Sequence, residues 1–159
     1  MLGELNDEQI ERVLRSEAIV RIGCHAEGTT YVVPVSYAYD GGSVIGHSAD
    51  GMKVRLMRQN PEVCVEVEHV DDIANWQSVI AWGRYEELRG EEAQRALQKL
   101  VDRFPVAETG HAGYGVPQDG GRAMPTMVMF RIRLERKTGR FERRQRARPV
   151  QTVSHHGLH

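Results

Sequence analysis

Alternating apolar and polar residues predict a chain built mainly of β-strands. Between residues 62 and 69 the valines fall on one face and Cys64, Glu66 and Glu68 on the other, which is the period of a half-buried strand. The same criterion, with turn residues between the runs, predicts six strands. They span residues 19–24, 30–39, 43–47, 62–69, 77–88 and 126–136.

Three further stretches have the spacing of amphipathic helices. The first covers residues 6–14, where Asn6 is the N-cap and Gln9 stands at the capping-box position. The second covers residues 54–60 and is stopped by an Asn-Pro pair, and the third covers residues 91–104. The predicted order is therefore a helix, three strands, a short helix, two strands, a helix and a strand.

Short connections between the strands favour an antiparallel barrel over a parallel sheet. Asp40-Gly41-Gly42 has the composition of a hairpin turn, and Gly83 marks a bend or bulge in the fifth strand. Pro34 cannot donate to a sheet ladder, so it implies a sheet edge, a bulge, or a place where a ligand replaces the neighbouring strand. The predicted fold class is mainly β, a six-stranded antiparallel barrel with flanking helices.

The chain of 159 residues is most simply one domain, which we place at residues 1–148. Residues 105–125 are rich in glycine and proline and predict a long irregular loop. Residues 149–159 have low apolar content and predict a flexible C-terminal tail.

Composition narrows the class of protein. No apolar run approaches the roughly 20 residues needed to cross a bilayer, and the acidic first residues lack the basic start and apolar core of a signal peptide. We therefore expect a cytoplasmic protein with no membrane partner. Cys24 and Cys64 each lie in an apolar run outside any CxxC pair. We therefore expect buried free thiols, and we expect no metal site.

The formal net charge of −1 conceals a basic C-terminal region. Residues 131–148 hold nine Lys and Arg against two Glu, a balance of +7 that leaves −8 for the rest of the chain. Such a region could contact nucleic acid. However, its charges alternate with Phe130, Ile132 and Leu134, as on the solvent face of a half-buried strand, and the aromatic interleaving of single-strand binders is missing. We expect no nucleic-acid partner.

A candidate phosphate-binding loop lies where the third strand ends and the second helix begins. There His47 and Ser48 precede Gly51 and Lys53. Unpaired backbone N–H groups and the helix dipole favour an anion at a helix N-terminus, and Lys53 adds a full charge. Small polar residues before a helix are also ordinary caps, so this pattern alone leaves both readings open.

Six short motifs follow one another between residues 22 and 86. They are Ile22-Gly23, Tyr-Val-Val-Pro-Val-Ser-Tyr at residues 31–37, His47-Ser48-Ala-x-Gly51-x-Lys53, Asn60-Pro61-x-Val63-Cys64, Trp76-x-Ser78-Val79 and Gly83-Arg84-x-Glu86. In this order they resemble the FMN-binding split-barrel superfamily that includes pyridoxamine 5′-phosphate oxidase. The closer likeness is to its nitroimidazole-resistance (Nim)-related members. The resemblance implies a six-stranded split barrel, generally a homodimer with two FMN sites at the subunit interface.

The resemblance also implies roles for the loop residues. Lys53 matches the lysine that binds the FMN phosphate, and Ser48, Ala49 and Gly51 belong to the same loop. His47 resembles the histidine near the flavin in the Nim-like branch, where it would contact the ring edge or the substrate, so it is the candidate catalytic residue. An ordinary alternative for His47 is a strand-end histidine bonded to the backbone.

Two strands carry the other implied cofactor contacts. Val33, Pro34, Val35 and Ser36 resemble the strand whose backbone lies along the isoalloxazine ring. Trp76 and Ser78 match the strand that reaches the phosphate and ribityl chain, often from the partner subunit. Ordinary alternatives are a core or interface aromatic for Trp76 and an outward-facing strand residue for Ser78.

The sequence departs from the vitamin B6 oxidases of this superfamily. Those enzymes carry an Arg-x-His pattern near the C-terminus, and residues 137–144 show no match to it, so vitamin B6 oxidation is not expected. No Gly-x-Gly-x-x-Gly follows a strand, so NAD(P)H is expected only as a transient reductant.

The predicted function is FMN-dependent oxidoreduction, with electrons passed to a small organic acceptor such as a nitroaromatic. Three alternatives stay open at this point. The chain could bind or sense a flavin without catalysis, hold a deazaflavin in place of FMN, or bind haem through His47 or the terminal histidines.

Overall fold

The computed structural model describes residues 1–105 and 127–144. Within these ranges the chain forms eight strands and three helices. In chain order they are β1 (Leu2–Glu4), α1 (Asp7–Ser16), β2 (Ile19–Ala26), β3 (Thr29–Ser36), β4 (Ala38–Tyr39), β5 (Ser43–Ala49), α2 (Met52–Gln59), β6 (Glu62–Asp72), β7 (Asn75–Leu88), α3 (Gly90–Arg103) and β8 (Met127–Glu142).

The strands form one antiparallel sheet in the order β3-β2-β6-β7-β8-β5-β4, with β1 added to β8. The six longer strands are those predicted from the sequence, so the mainly β, antiparallel split-barrel prediction is confirmed. Among the described residues no helix is long and apolar enough to span a membrane. The predicted tail at 149–159, and all of the predicted loop at 105–125 except Pro105, lie outside the described residues.

The inward side chains of the sheet and one face of α1 form the main core. Phe130, Ile132 and Leu14 are completely buried in it. The capping box at the start of α1 is present, since Asn6 Oδ1 accepts from Gln9 N at 2.9 Å and Gln9 Oε1 accepts from Asn6 N at 2.9 Å. A smaller cluster packs α3 against β5 and β8, centred on Leu100, Ile45 and Met129.

Three local predictions from special residues are confirmed. Pro34 lies on β3, which is an edge strand paired only with β2. The pairing of β7 with β8 shifts register between Trp82 and Gly83, which is the predicted bulge. Gly41 has φ of 97° in the turn between β4 and β5, a value that favours glycine.

Two of the predicted strand boundaries differ most from the structure. The strand predicted at residues 30–39 is broken at Tyr37, which turns inward and donates its hydroxyl to the carbonyl oxygen of Leu14 at 2.6 Å. The last strand runs to Glu142 rather than to residue 136, because its final residues pair with β7 on one side and, from Arg140 onward, with β1 on the other. β1 itself was not predicted.

Candidate functional site

The loop between β5 and α2 places the predicted phosphate-binding residues at one end of the barrel. His47 is half-buried in β5, and Ala49 is exposed at the end of that strand. Ser48 is buried and its hydroxyl donates to the carbonyl oxygen of Ala49 at 2.7 Å. In this geometry the Ser48 hydroxyl hydrogen is directed at the backbone of the loop, so the anion-binding donors of the loop are its amides and Lys53.

The N-terminus of α2 is open to an anion. Gly51 is its N-cap and supplies no side-chain cap, and the first turn contains no acidic residue. Arg55 N donates the first bond of the helix to Gly51 O at 3.0 Å, which leaves the amides of residues 52–54 without helical acceptors. By contrast, α1 and α3 both carry acidic residues in their first turns. The dipole of α2 is therefore available to a ligand.

Lys53 lies in this first turn and is half-buried. Among the described Lys and Arg residues, only Lys53, Arg140 and Arg144 make no side-chain hydrogen bond, ion pair or ring contact within the part of the chain that the structure describes. A partly buried lysine side chain often pairs with an acidic group, and Lys53 has no such partner among the described residues. The environment of Lys53 is therefore that of a cation available to an anionic ligand.

Two ion pairs of Arg58 connect the loop between β5 and α2 to strand β7. Arg58 binds Asp50 through Nη1 at 3.0 Å and forms a second ion pair with Glu87 on β7. The bond from Arg58 lowers the pKa of Glu87, and the Tyr85 hydroxyl also donates to this carboxylate at 3.1 Å. Asp50, the acidic residue next to the candidate site, is thus paired with Arg58. Sequence analysis missed these ion pairs, because their partners come from the β5–α2 loop, from α2 and from β7.

The edge strand β3 presents a row of backbone groups beside the loop. Val33 and Val35 point into the core, whereas Pro34 is exposed on the outer face of the sheet and Ser36 is half-buried. Because β3 pairs only with β2, its other edge keeps backbone donors and acceptors that no strand of the described chain uses. β3 also contacts β5, the strand that leads into the loop. This edge fits the predicted ring-binding role.

Trp76 and Ser78 lie together at the start of β7. The Trp76 indole N–H donates to Glu142 Oε2 at 3.1 Å, and the Ser78 hydroxyl donates to Glu66 Oε1 at 2.8 Å. Both residues line a cavity of about 160 Å³ with Ile80 and Arg140. Sequence analysis did not include Arg140 in the site, and its only signal was its place in the basic C-terminal region.

The two groups of predicted site residues lie at opposite ends of β7. Met129 pairs with both Leu88 of β7 and His47 of β5, so the loop lies near the Leu88 end. Ser78 is ten residues away along β7, a span of about 33 Å in an extended strand. A single chain therefore does not bring Lys53 and Ser78 into one small-molecule site.

Most cations of β8 have local partners. Arg131 and Arg133 bind Glu86, with the shorter contact at 2.7 Å, and Lys137 binds Glu11. Arg136 lies over the ring of Trp82 at 4.0 Å. These contacts agree with the solvent-face interpretation of the basic strand.

Comparison with known proteins gives matches along nearly the whole chain. Residues 6–141 match the family model described as pyridoxamine 5′-phosphate oxidase. An uncharacterised protein of Rhizobium meliloti is 31% identical over 140 residues, which cover 86% of this chain and 92% of the relative.

Solved structures of similar fold include two that differ in their sequence identity to this chain. A FAD-binding protein from Mesorhizobium loti is 32% identical, with a TM-score of 0.68 over 89% of this chain and 98% of that one. A candidate 5-nitroimidazole antibiotic resistance protein from Bacteroides thetaiotaomicron is 18% identical, with a TM-score of 0.66 over 89% of this chain and 87% of that one. At the lower identity the likeness concerns the fold alone.

Proposed function

The chain belongs to the pyridoxamine 5′-phosphate oxidase family, and from this premise we propose that it is a flavin-dependent oxidoreductase that holds FMN between two copies of itself. The observation that carries the proposal is Lys53, a half-buried cation without a protein partner among the described residues, at a helix N-terminus that lacks a side-chain cap. That arrangement fits the phosphate of a riboflavin 5′-phosphate group.

The residues around Lys53 fit the remainder of the cofactor. The amides of residues 52–54 would bind the phosphate together with Lys53, and the free edge of β3 at Val33–Ser36 would hydrogen-bond the ring. A bound flavin supplies hydride and electron transfer. The protein's part is to orient the ring, limit its contact with water and place His47 near the loop. The similarity to a FAD-binding protein supports a flavin as the ligand. FMN is the smaller flavin cofactor that has both the ring and the phosphate needed for these contacts.

A second copy of the chain would complete the site. The outer face of β2, β3, β6 and β7 exposes Ile19, Val32, Val70 and Ile80, by 46%, 63%, 55% and 39% of their surfaces. Exposed apolar residues grouped on one face are typical of an interface. Because Ser78 and Trp76 lie on this face, pairing of two such faces would bring them to a second subunit.

The direct test of cofactor binding is the titration of FMN into the apoprotein, followed by absorbance and flavin fluorescence. We expect one FMN per chain. A haem spectrum of the purified protein, or no interaction with FMN or FAD, would contradict the proposal.

Enzyme activity is tested separately by reducing the bound flavin and mixing it with a nitroaromatic acceptor. An oxidoreductase reoxidises faster with the acceptor than with oxygen alone. Equal rates would indicate a protein that binds a flavin without using it in catalysis. Oxidation of pyridoxamine phosphate is not proposed, because residues 137–144 lack the Arg-x-His pattern.

Replacement of His47 by alanine is expected to retain FMN while slowing acceptor reduction by about tenfold, the effect of one hydrogen bond lost from the reacting groups. The measurement is stopped-flow reoxidation at full FMN occupancy. The control is His25→Ala, since His25 is exposed and, among the described residues, its ring hydrogen-bonds only to the Thr30 hydroxyl, at 2.8 Å. Loss of FMN from His47→Ala would assign His47 a scaffolding role, and unchanged activity would remove it from the site.

Light scattering is expected to give a dimer at micromolar concentration, and Ile80→Asp is expected to convert it to a monomer. Ile80 lies on this outer face, opposite Glu66 of β6 and Thr138 of β8, where a carboxylate would have to lose its water on assembly. The matched control is Ile73→Asp at the β6–β7 turn, where the side chain is 90% exposed. A wild-type monomer with FMN bound would refute the shared site.

A further inference from the structure

Asp50 is the acidic residue nearest in sequence to the open N-terminus of α2. It comes directly before Gly51, the N-cap, and it is exposed. Short acidic side chains at the start of a helix readily accept hydrogen bonds from its first amides, which they satisfy as a bound anion would. In this structure no side chain caps α2. The amides are therefore left open although a carboxylate is attached to the residue before the cap.

Arg58, in the last turn of α2, holds the Asp50 carboxylate. Its Nη1 donates to Asp50 Oδ1 at 3.0 Å and lies 3.1 Å from Oδ2, so both oxygens face the same guanidinium group. Among the described residues no other side chain donates to this carboxylate or pairs with it. Loss of Arg58 would leave Asp50 with an uncompensated charge and a free acceptor next to the first turn of α2.

The Arg58 side chain is itself fixed by strand β7. It forms its second ion pair with Glu87, whose carboxylate also accepts from the Tyr85 hydroxyl at 3.1 Å and pairs with Arg89 at 3.4 Å. A guanidinium group has five N–H donors in a rigid plane, so it can bind two carboxylates at once. Glu87 would keep partners without Arg58, whereas Asp50 would not.

We propose that Arg58 is a positioning residue for the flavin phosphate, because it keeps the Asp50 carboxylate off the α2 amides and offsets its charge. This inference rests on the proposed flavin function. A released Asp50 would compete with the phosphate for the same amides and would also repel it, since like charges at short range disfavour each other. The preference of the site for FMN over riboflavin, which lacks the phosphate, then depends on a residue that does not itself bind the ligand.

The test is a double-mutant cycle of Arg58→Ala and Asp50→Ala, measured by titration of FMN and of riboflavin into the apoproteins. In the wild-type background we expect Arg58→Ala to weaken FMN binding by about tenfold and riboflavin binding by less than about twofold. In the Asp50→Ala background the same change is expected to weaken FMN binding by less than about twofold, because the competing carboxylate is gone.

The matched control is Arg12→Ala on α1, which removes the same charge from an exposed ion pair with Glu8 at 3.2 Å. We expect this variant to bind FMN as the wild type does. Circular dichroism of each variant confirms that the fold is retained before affinities are compared. If Arg58→Ala does not fold, Arg58→Gln, which keeps most of the side-chain volume, takes its place in the cycle.

The outcomes separate this inference from the proposed function. An equal loss of FMN affinity in both backgrounds would show that Arg58 acts through its own charge or through the fold, and would overturn the proposal. Equal losses for FMN and riboflavin, or no loss for FMN, would overturn it as well. Each of these results leaves flavin binding by the wild-type protein intact. A wild-type protein that binds no flavin would overturn both proposals.

Discussion

Replacing Lys53 by alanine is expected to weaken FMN binding by between about tenfold and a hundredfold. A charge-assisted hydrogen bond contributes about 1.5–3 kcal/mol, and removing Lys53 leaves the phosphate without its proposed lysine ligand. The loss should be similar for FAD, because both cofactors share the riboflavin phosphate. Fluorescence titration of the apoprotein measures the dissociation constants.

The control for Lys53 lies on the same helix. Arg55 is exposed, and within the described part of the chain its one ion pair is with Glu27 at 3.5 Å, so Arg55→Ala removes the same charge from α2 without touching the first turn. We expect Arg55→Ala to bind FMN nearly as the wild type does. If the two variants lost affinity equally, the effect would be one of general charge and Lys53 would not be a phosphate ligand.

Gly83→Ala is expected to reduce the free energy of unfolding by about 3 kcal/mol, the upper range for an overpacked site. A Cβ atom at Gly83 would lie 2.2 Å from the carbonyl oxygen of Arg133 and 2.9 Å from its carbonyl carbon. Both atoms belong to the backbone of β8, so no side-chain movement relieves the contact. At a fixed protein concentration the urea midpoint should fall by about 1 M or more.

Gly23→Ala is the matched control for Gly83. It lies on β2 of the same sheet, and an added Cβ would be 3.6 Å from the carbonyl oxygen of Cys64, an ordinary contact. We expect its stability to stay within about 1 kcal/mol of wild type. A Gly83→Ala protein as stable as the control would show that the register shift beside Gly83 can relax without loss.

Much of the fold could be predicted because local residues determine it. Three features were predicted from residues close together in sequence. They are the valine alternation of β6, the position of Pro34 on an edge strand and the bulge at Gly83. The break at Tyr37 could not be predicted in this way. It depends on a hydrogen bond to Leu14, which lies on a different element.

The candidate site was predictable to a smaller extent. The loop from His47 to Lys53 is contiguous, so its position between a strand and a helix follows from the sequence. The ion pair between Arg58 and Glu87 joins the site to a strand that is distant in sequence. The position of Arg140 opposite Ser78 depends on the register between β7 and β8. Pairing over long sequence separation is the information that pattern analysis lacks. The roles of these residues toward a flavin stay predictions.

The loop that carries Lys53 lies near the Leu88 end of β7, and Ser78 lies near the other end. This separation has a genetic consequence if the site is shared. Each of the two pockets would then be formed by Lys53 of one chain and Ser78 of the other. Two alleles, one lacking Lys53 and one lacking Ser78, would then complement each other when co-expressed. In a mixed pair, both lesions fall in the same pocket and the second pocket is built entirely from wild-type residues.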